Sequence, residues 1–156
     1  MGKRVIITCW GSHGDLFPYI GLALALKARG HTAVVATSEM YRPNVEQEGL
    51  EFAAVGPSVD PNDGDLIARV MDPVKGSEVI IRELLLPELR ASYAELERAA
   101  AGADWLVSHP IVYATPLFAE RHGVPWVSTV LAPMLFFSPH DPPVLSKQIT
   151  VTVPES

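Results

Sequence analysis

The sequence holds a single cysteine, Cys9, in 156 residues. No internal disulfide can form, so a reducing, cytoplasmic setting is the expectation. A basic surplus is missing as well. Twelve Lys and Arg against 18 Asp and Glu leave a net charge of -6, which excludes the positive footprint that nucleic acid requires. Charge then runs out: from Gly123 onward only Asp141, Lys147 and Glu155 carry any. Eight of the 14 prolines fall from Pro110 onward. A small self-contained domain rarely finishes on an uncharged, proline-rich stretch, so the end of this sequence is expected not to be the end of the natural polypeptide, and residues 1–156 to be one truncated domain of it.

Long apolar runs are also absent. Gly123–Pro139 carries no charge, but Pro125, Pro133 and Pro139 break it, and a spanning helix needs ~20 apolar residues with a satisfied backbone. Lys3 and Arg4 precede only Val5–Trp10, too short for a secretory leader. There is no repeat and no Gly-x-Ser-x-Gly elbow. His13, Asp15, His109, His140 and Asp141 share no metal-ligand spacing, so no metal is expected.

What is present is a globular core: 48% of residues are hydrophobic, which excludes disorder. Strands are expected at Arg4–Cys9, Thr32–Thr37, Glu51–Val55, Trp105–Ser108 and Trp126–Leu131. Helices are expected at Tyr19–Arg29, with Pro18 at its first position, at Arg42–Glu48, and at Thr115–His122 capped by Gly123. Leu86, Leu89, Tyr93, Leu96 and Ala100 form one apolar helical face, with Pro87 kinking or starting that helix. Strand and helix alternate, which predicts α/β architecture: a doubly wound, Rossmann-like parallel sheet. Its working loops lie at the carboxyl ends of the strands, here Trp10–Phe17, Gly56–Asp65, His109–Ala114 and Ala132–Pro143.

The first loop reads Gly11-Ser12-His13-Gly14-Asp15. A glycine loop before a helix can present N–H groups to an anion, but Gly-x-x-Gly is not the Gly-x-Gly-x-x-Gly of dinucleotide binding. Asp15 at a helix start would also repel a pyrophosphate. Asp15 reads either as an N-cap or as a general base at the mouth of the sheet. His13 either shares that role or lines the loop.

The runs TCWGSHGDLFPYIGLALALKARGH, ATSEMYRPNVEQEGLEF and LVSHPIVYATPLFAERHGVPWVSTVLAPMLFFSPHDPP together resemble the N-terminal half of bacterial GT-B-fold glycosyltransferases. The likeness is to rhamnosyltransferases and to enzymes that glycosylate antibiotics and sterols. The resemblance implies an acceptor-binding domain. A second, C-terminal domain would bind a nucleotide sugar such as a UDP- or dTDP-sugar as substrate, with no further cofactor. It implies inverting transfer to a hydroxyl. Asp15 matches the proposed base of the antibiotic-type loop, where His13 replaces an arginine. His109 falls where plant-type members carry an aspartate paired with a first-loop histidine. Asp15 and His109 therefore resemble that dyad with its partners exchanged, Asp15 being the expected direct base by family position; the chemistry also works the other way, with His109 as the better base at neutral pH and Asp15 orienting it. Without the resemblance, His109 reads equally as a satisfied loop histidine before Pro110.

Phe17, Tyr19, Ile111, Tyr113, Met134, Leu135, Phe136 and Phe137 lie on or beside the working loops. They suit a wall for an apolar acceptor, lipid or aglycone. The Met134–Phe137 run also suits a domain interface, with peripheral membrane contact or self-association as consequences of its exposure. Two other classes stand beside this one: a non-catalytic accessory domain that binds a partner, and an NAD-dependent oxidoreductase.

Overall fold

The computed structural model describes residues 2–132 and the backbone of 144–146 and 149–150. Five strands form one sheet: β1 (Arg4–Thr8), β2 (Thr32–Thr37), β3 (Glu51–Ala54), β4 (Trp105–Ser108) and β5 (Trp126–Ser128). Their order is β3-β2-β1-β4-β5 and every pairing is parallel. The chain winds outward from β1 in one direction, then returns and winds in the other. This is the expected doubly wound layout, with its switch point between β1 and β4. A separate antiparallel pair joins β6 (Val144–Ser146) to β7 (Ile149–Thr150).

Strand periodicity divides the core. Val5, Ile7, Cys9, Ala33 and Val35 face one layer, covered by α1 (His13–Ala28) and by Tyr41 and Val45 around α2 (Arg42–Glu46). Ile6, Val34, Ala36 and Leu106 face the other. There they meet Leu96 and Ala100 at α5 (Leu89–Ala99), and Phe118 and Ala119 of α6 (Ala114–His122). Period-two alternation with apolar residues on both faces is what a sheet covered on both sides requires.

Several boundaries differ from the sequence expectation. Helix α1 begins at His13, and Pro18 lies inside it. Pro18 lacks the N–H that Gly14 C=O would have accepted. The loss falls next to the first turn, which has its own cap, so the helix continues through it. The apolar face read from Leu86 loses that residue: Leu86 lies ahead of α5 and is 49% exposed. A wide turn at Ile80–Leu85 precedes it, with Leu86 N–H donating to Ile81 C=O at 2.9 Å. Pro87 offers no N–H to the ladder, which separates that turn from α5. Two short helices, α3 (Gly64–Val70) and α4 (Gly76–Val79), occupy a stretch read as loop at its start. Strand β5 ends at Ser128, three residues short of expectation, and its side chains are exposed. Gly123, at φ +66, ends α6 as expected.

Candidate functional site

The site is built at the switch point, where β1 and β4 deliver their last residues side by side. His109 N–H donates to Thr8 C=O at 2.9 Å, which continues the β1–β4 ladder one residue beyond β4. Alternation along β4 then sends the His109 ring towards the α1 layer. Helix α1 begins four residues after Cys9, so its first turn stands over the same point.

That first turn is locked by a capping box. Ser12 is the N-cap: its hydroxyl oxygen accepts from Gly14 N–H at 3.2 Å. Asp15 closes the box from the third helical position, where Oδ2 accepts Ser12 N–H at 2.7 Å and Ser12 Oγ–H at 3.0 Å. Asp15 is therefore not the N-cap of the helix. Gly11 makes the tight entry possible. It sits at φ +139, and a Cβ there would lie 2.3 Å from Asp15 Oδ2. Its carbonyl is anchored by the Tyr41 hydroxyl at 2.8 Å.

The box occupies one carboxylate oxygen and frees the other. Asp15 Oδ1 faces His109 Nε2 at 3.6 Å, too far for a hydrogen bond and close enough for an ion pair should the ring take a proton. The two side chains differ in access: Asp15 is 32% exposed and His109 6%. Burial lowers the His109 pKa below its ordinary value, and the Asp15 charge opposes this only in part. His109 is thus neutral at neutral pH. Among the described residues its Nδ1 is buried with no hydrogen-bond partner, which favours the tautomer that leaves a lone pair there and turns Nε2–H towards Asp15. Cys9, beneath them, is a buried thiol pushed up to about 12, mainly by desolvation. It has no nucleophilic character at ordinary pH.

The structure brings Asp15 and His109 together and sets the other residues apart. His13 packs its ring on Phe17 and Tyr41, with centroids 5.4 and 5.1 Å away. Among the described residues no hydrogen bond or ion pair joins it to the dyad. Phe17 is 53% exposed on α1 beside it. Tyr19 is not pocket wall: it is 2% exposed, its ring edge-on to His109. Ile111 and Tyr113 pack in a different group, against Trp10, Leu85 and Val112. The cavity they line holds only about 20 Å³, room for about one water. Met134, Leu135, Phe136 and Phe137 lie outside the described residues. So do His140 and Asp141. Among the described residues no three His, Cys, Asp or Glu side chains gather as metal ligands.

Sequence reasoning missed two features. Tyr41 anchors the Gly11 turn from a short helical turn whose sequence carries no motif. A hollow of about 450 Å³ also opens beside Gly56–Ser58, lined in part by Glu39, Glu83, Glu88 and Glu95. Its carboxylates come from separate segments, so no spacing announced it. Glu39 pairs with Arg42, Glu83 with Arg69, and Glu95 accepts Gly56 N–H at 3.0 Å.

Known proteins are similar to this chain in fold and sequence. The glycosyltransferase family 28 N-terminal domain matches residues 5–126. The O-mycaminosyltylonolide 6-deoxyallosyltransferase of Streptomyces fradiae is 33% identical over 80% of this chain and 30% of its own length. A sterol 3-beta-glucosyltransferase of Glomerella lagenarium is 31% identical over 85% of this chain and 10% of its own. The glycosyltransferase SsfS6 of Streptomyces sp. SF2575, solved with thymidine diphosphate, superimposes with a TM-score of 0.62 at 25% identity. The alignment covers 82% of this chain and 38% of that one. The chain spans about a third of the length of the antibiotic-type relatives. Its doubly wound sheet is the N-terminal half of a GT-B fold, and the chain belongs to the glycosyltransferase family 28 N-terminal domain.

Proposed function

We propose that this chain is the acceptor half of an inverting glycosyltransferase, joined in the complete enzyme to a domain that binds a nucleoside-diphosphate sugar. The observation that carries the reading is the Asp15–His109 pair at the switch point of the sheet. Asp15 is the direct base. Its Oδ1 is not used by the capping box, and it is the more exposed partner of the pair. The acceptor hydroxyl gives its proton to Oδ1 while its oxygen attacks the anomeric carbon from the face opposite the leaving group. The bond from that carbon to the diphosphate breaks, its electron pair leaves with the nucleoside diphosphate, and configuration inverts.

Neutral His109 stands beside the base. Its Nε2–H faces Oδ1 across 3.6 Å, so the carboxylate oriented by the capping box meets a donor dipole and no competing positive charge. Phe17 and His13 flank the entrance and suit an apolar or flat acceptor. No metal takes part in this scheme, and the nucleotide sugar enters as substrate.

Transfer from an α-linked nucleotide sugar by the complete enzyme should give a β-linked product, read from the anomeric proton coupling. Residues 1–156 alone should transfer nothing. A retained α-linkage, or sugar transfer by this chain alone, would overturn the proposal. The accessory alternative has no observation of its own in its favour. For an NAD enzyme, Ser12 N–H would have to be free for a pyrophosphate, and Asp15 already occupies it.

A further inference from the structure

Tyr19 is a full helical turn beyond Asp15 on α1, so both side chains leave the helix on the same side. Both meet His109. Asp15 addresses its Nε2, and the Tyr19 ring stands edge-on to the imidazole with centroids 6.1 Å apart at 84°. Edge-on contact at that spacing is a favoured aromatic geometry. The Tyr19 hydroxyl, however, does not stop at the histidine. It reaches past β4 to Thr129 Oγ1 at 2.9 Å. Thr129 in turn directs both its donors at one carbonyl: its N–H reaches Ser108 C=O at 2.9 Å and its Oγ1 the same oxygen at 3.0 Å. With Thr129 Oγ–H committed there, Tyr19 must be the donor to Thr129. Ser108 is the residue before His109, and its own hydroxyl is held by Trp126 Nε1 at 2.8 Å.

We infer that the Tyr19–Thr129–Ser108 chain is a positioning brace, which clamps the exit of β4 to helix α1 and so holds the His109 imidazole against Asp15. The inference rests on the proposed role of that pair and adds to it the residues that set its geometry. A brace is needed because nothing else among the described contacts fixes the ring: Nδ1 has no partner, and Nε2 stands 3.6 Å from Oδ1. Among the described residues the groups facing His109 are few. From α1 come the Asp15 carboxylate and Tyr19, whose phenol is raised above its ordinary pKa by burial and stays neutral. Below Tyr19 lies the Cys9 thiol, also neutral. From the ends of β4 and β5 come the Ser108 carbonyl and the Thr129 hydroxyl, which do not titrate. Burial is the larger influence on His109, and Asp15 the one charge among these groups.

The test reads the imidazole directly. His109 is titrated by NMR in this chain, in the parent and in Tyr19→Phe, Thr129→Val and Thr129→Ser. The parent ring should titrate below 6.5, the ordinary histidine value. Loss of the brace hydroxyl in Tyr19→Phe or Thr129→Val should admit water and move the titration up towards that value. Thr129→Ser keeps the hydroxyl and should restore the parent curve. In the complete enzyme the same two disruptive variants should lower kcat on the order of tenfold with KM for the nucleotide sugar unchanged. An unchanged His109 titration in both disruptive variants would overturn the brace. If the titration moves as expected but His109→Gln turns over at the parental rate, the brace stands as geometry and the proposed role of the pair fails instead.

Discussion

Replacing Gly11 by alanine attacks the candidate site through its backbone. Gly11 holds φ +139, a region that residues with a side chain rarely enter, and the new Cβ would lie 2.3 Å from Asp15 Oδ2. Backbone strain of this kind costs about 1–3 kcal/mol. Relieving the clash pushes the carboxylate off Ser12 N–H and Oγ–H, now held at 2.7 and 3.0 Å. Loss of a helix cap costs about 1 kcal/mol, so the sum is about 2–4 kcal/mol. For a domain of this size that lowers Tm by roughly 5–15 °C, read by circular dichroism. A second effect follows at the site. With Oδ1 displaced, His109 loses the charge that holds its pKa up, so its titration should move further down. Gly21→Ala is the control. Gly21 lies within α1 with nothing within 4 Å of the added Cβ, so the change should stabilise by about 0.5–1 kcal/mol. A Gly11→Ala protein that melts with the parent would refute the account of the turn.

The buried hydroxyls of Thr8 and Thr115 lie 2.7 Å apart, joining the end of β1 to α6. Thr115→Val should cost about 1–2 kcal/mol in urea unfolding, since Thr8 keeps only its longer bond to Val107 C=O at 3.3 Å. Stability should also fall as pH falls through 6.5. His109 binds a proton less readily folded than unfolded, so the unfolded state takes up more protons between its folded pKa and 6.5. That stability is fully present above 6.5 and lost below it. His109→Gln should flatten this part of the urea-midpoint profile, and an identical slope in parent and variant would contradict the assignment. Asp15→Asn removes the charge facing His109 and should depress the histidine titration. An upward shift would mean the two side chains are not neighbours in solution.

The sheet was legible because its strands are runs of β-branched and small apolar residues. RVIIT, TAVVAT and WLVS announce themselves as buried strands, and alternation with helices sets their parallel order. Helix starts were harder. Pro18 resembles a first-position proline, yet the capping box formed by Ser12 and Asp15 begins the helix five residues earlier. Helix α3 buries no residue, so no periodic apolar pattern could reveal it. The pairing of Asp15 with His109 could not be read from spacing, because adjacency of β1 and β4 creates it; family resemblance pointed to it. Tyr19 read as loop-side apolar surface because its hydroxyl partner, Thr129, arrives from the far end of the sheet. Phe17 and Ile111 read as one pocket for the same reason, although they pack in separate groups.

In the proposed mechanism Asp15 takes the acceptor proton and neutral His109 faces it across 3.6 Å. Single-turnover sugar transfer by the complete enzyme tests this most directly, in the parent, Asp15→Asn and His109→Gln, with donor binding checked by calorimetry. Expected are a loss of about 10²–10⁴ in rate for Asp15→Asn, a loss on the order of tenfold to a hundredfold for His109→Gln, and parental donor affinity in both. Parental turnover by Asp15→Asn would contradict the mechanism.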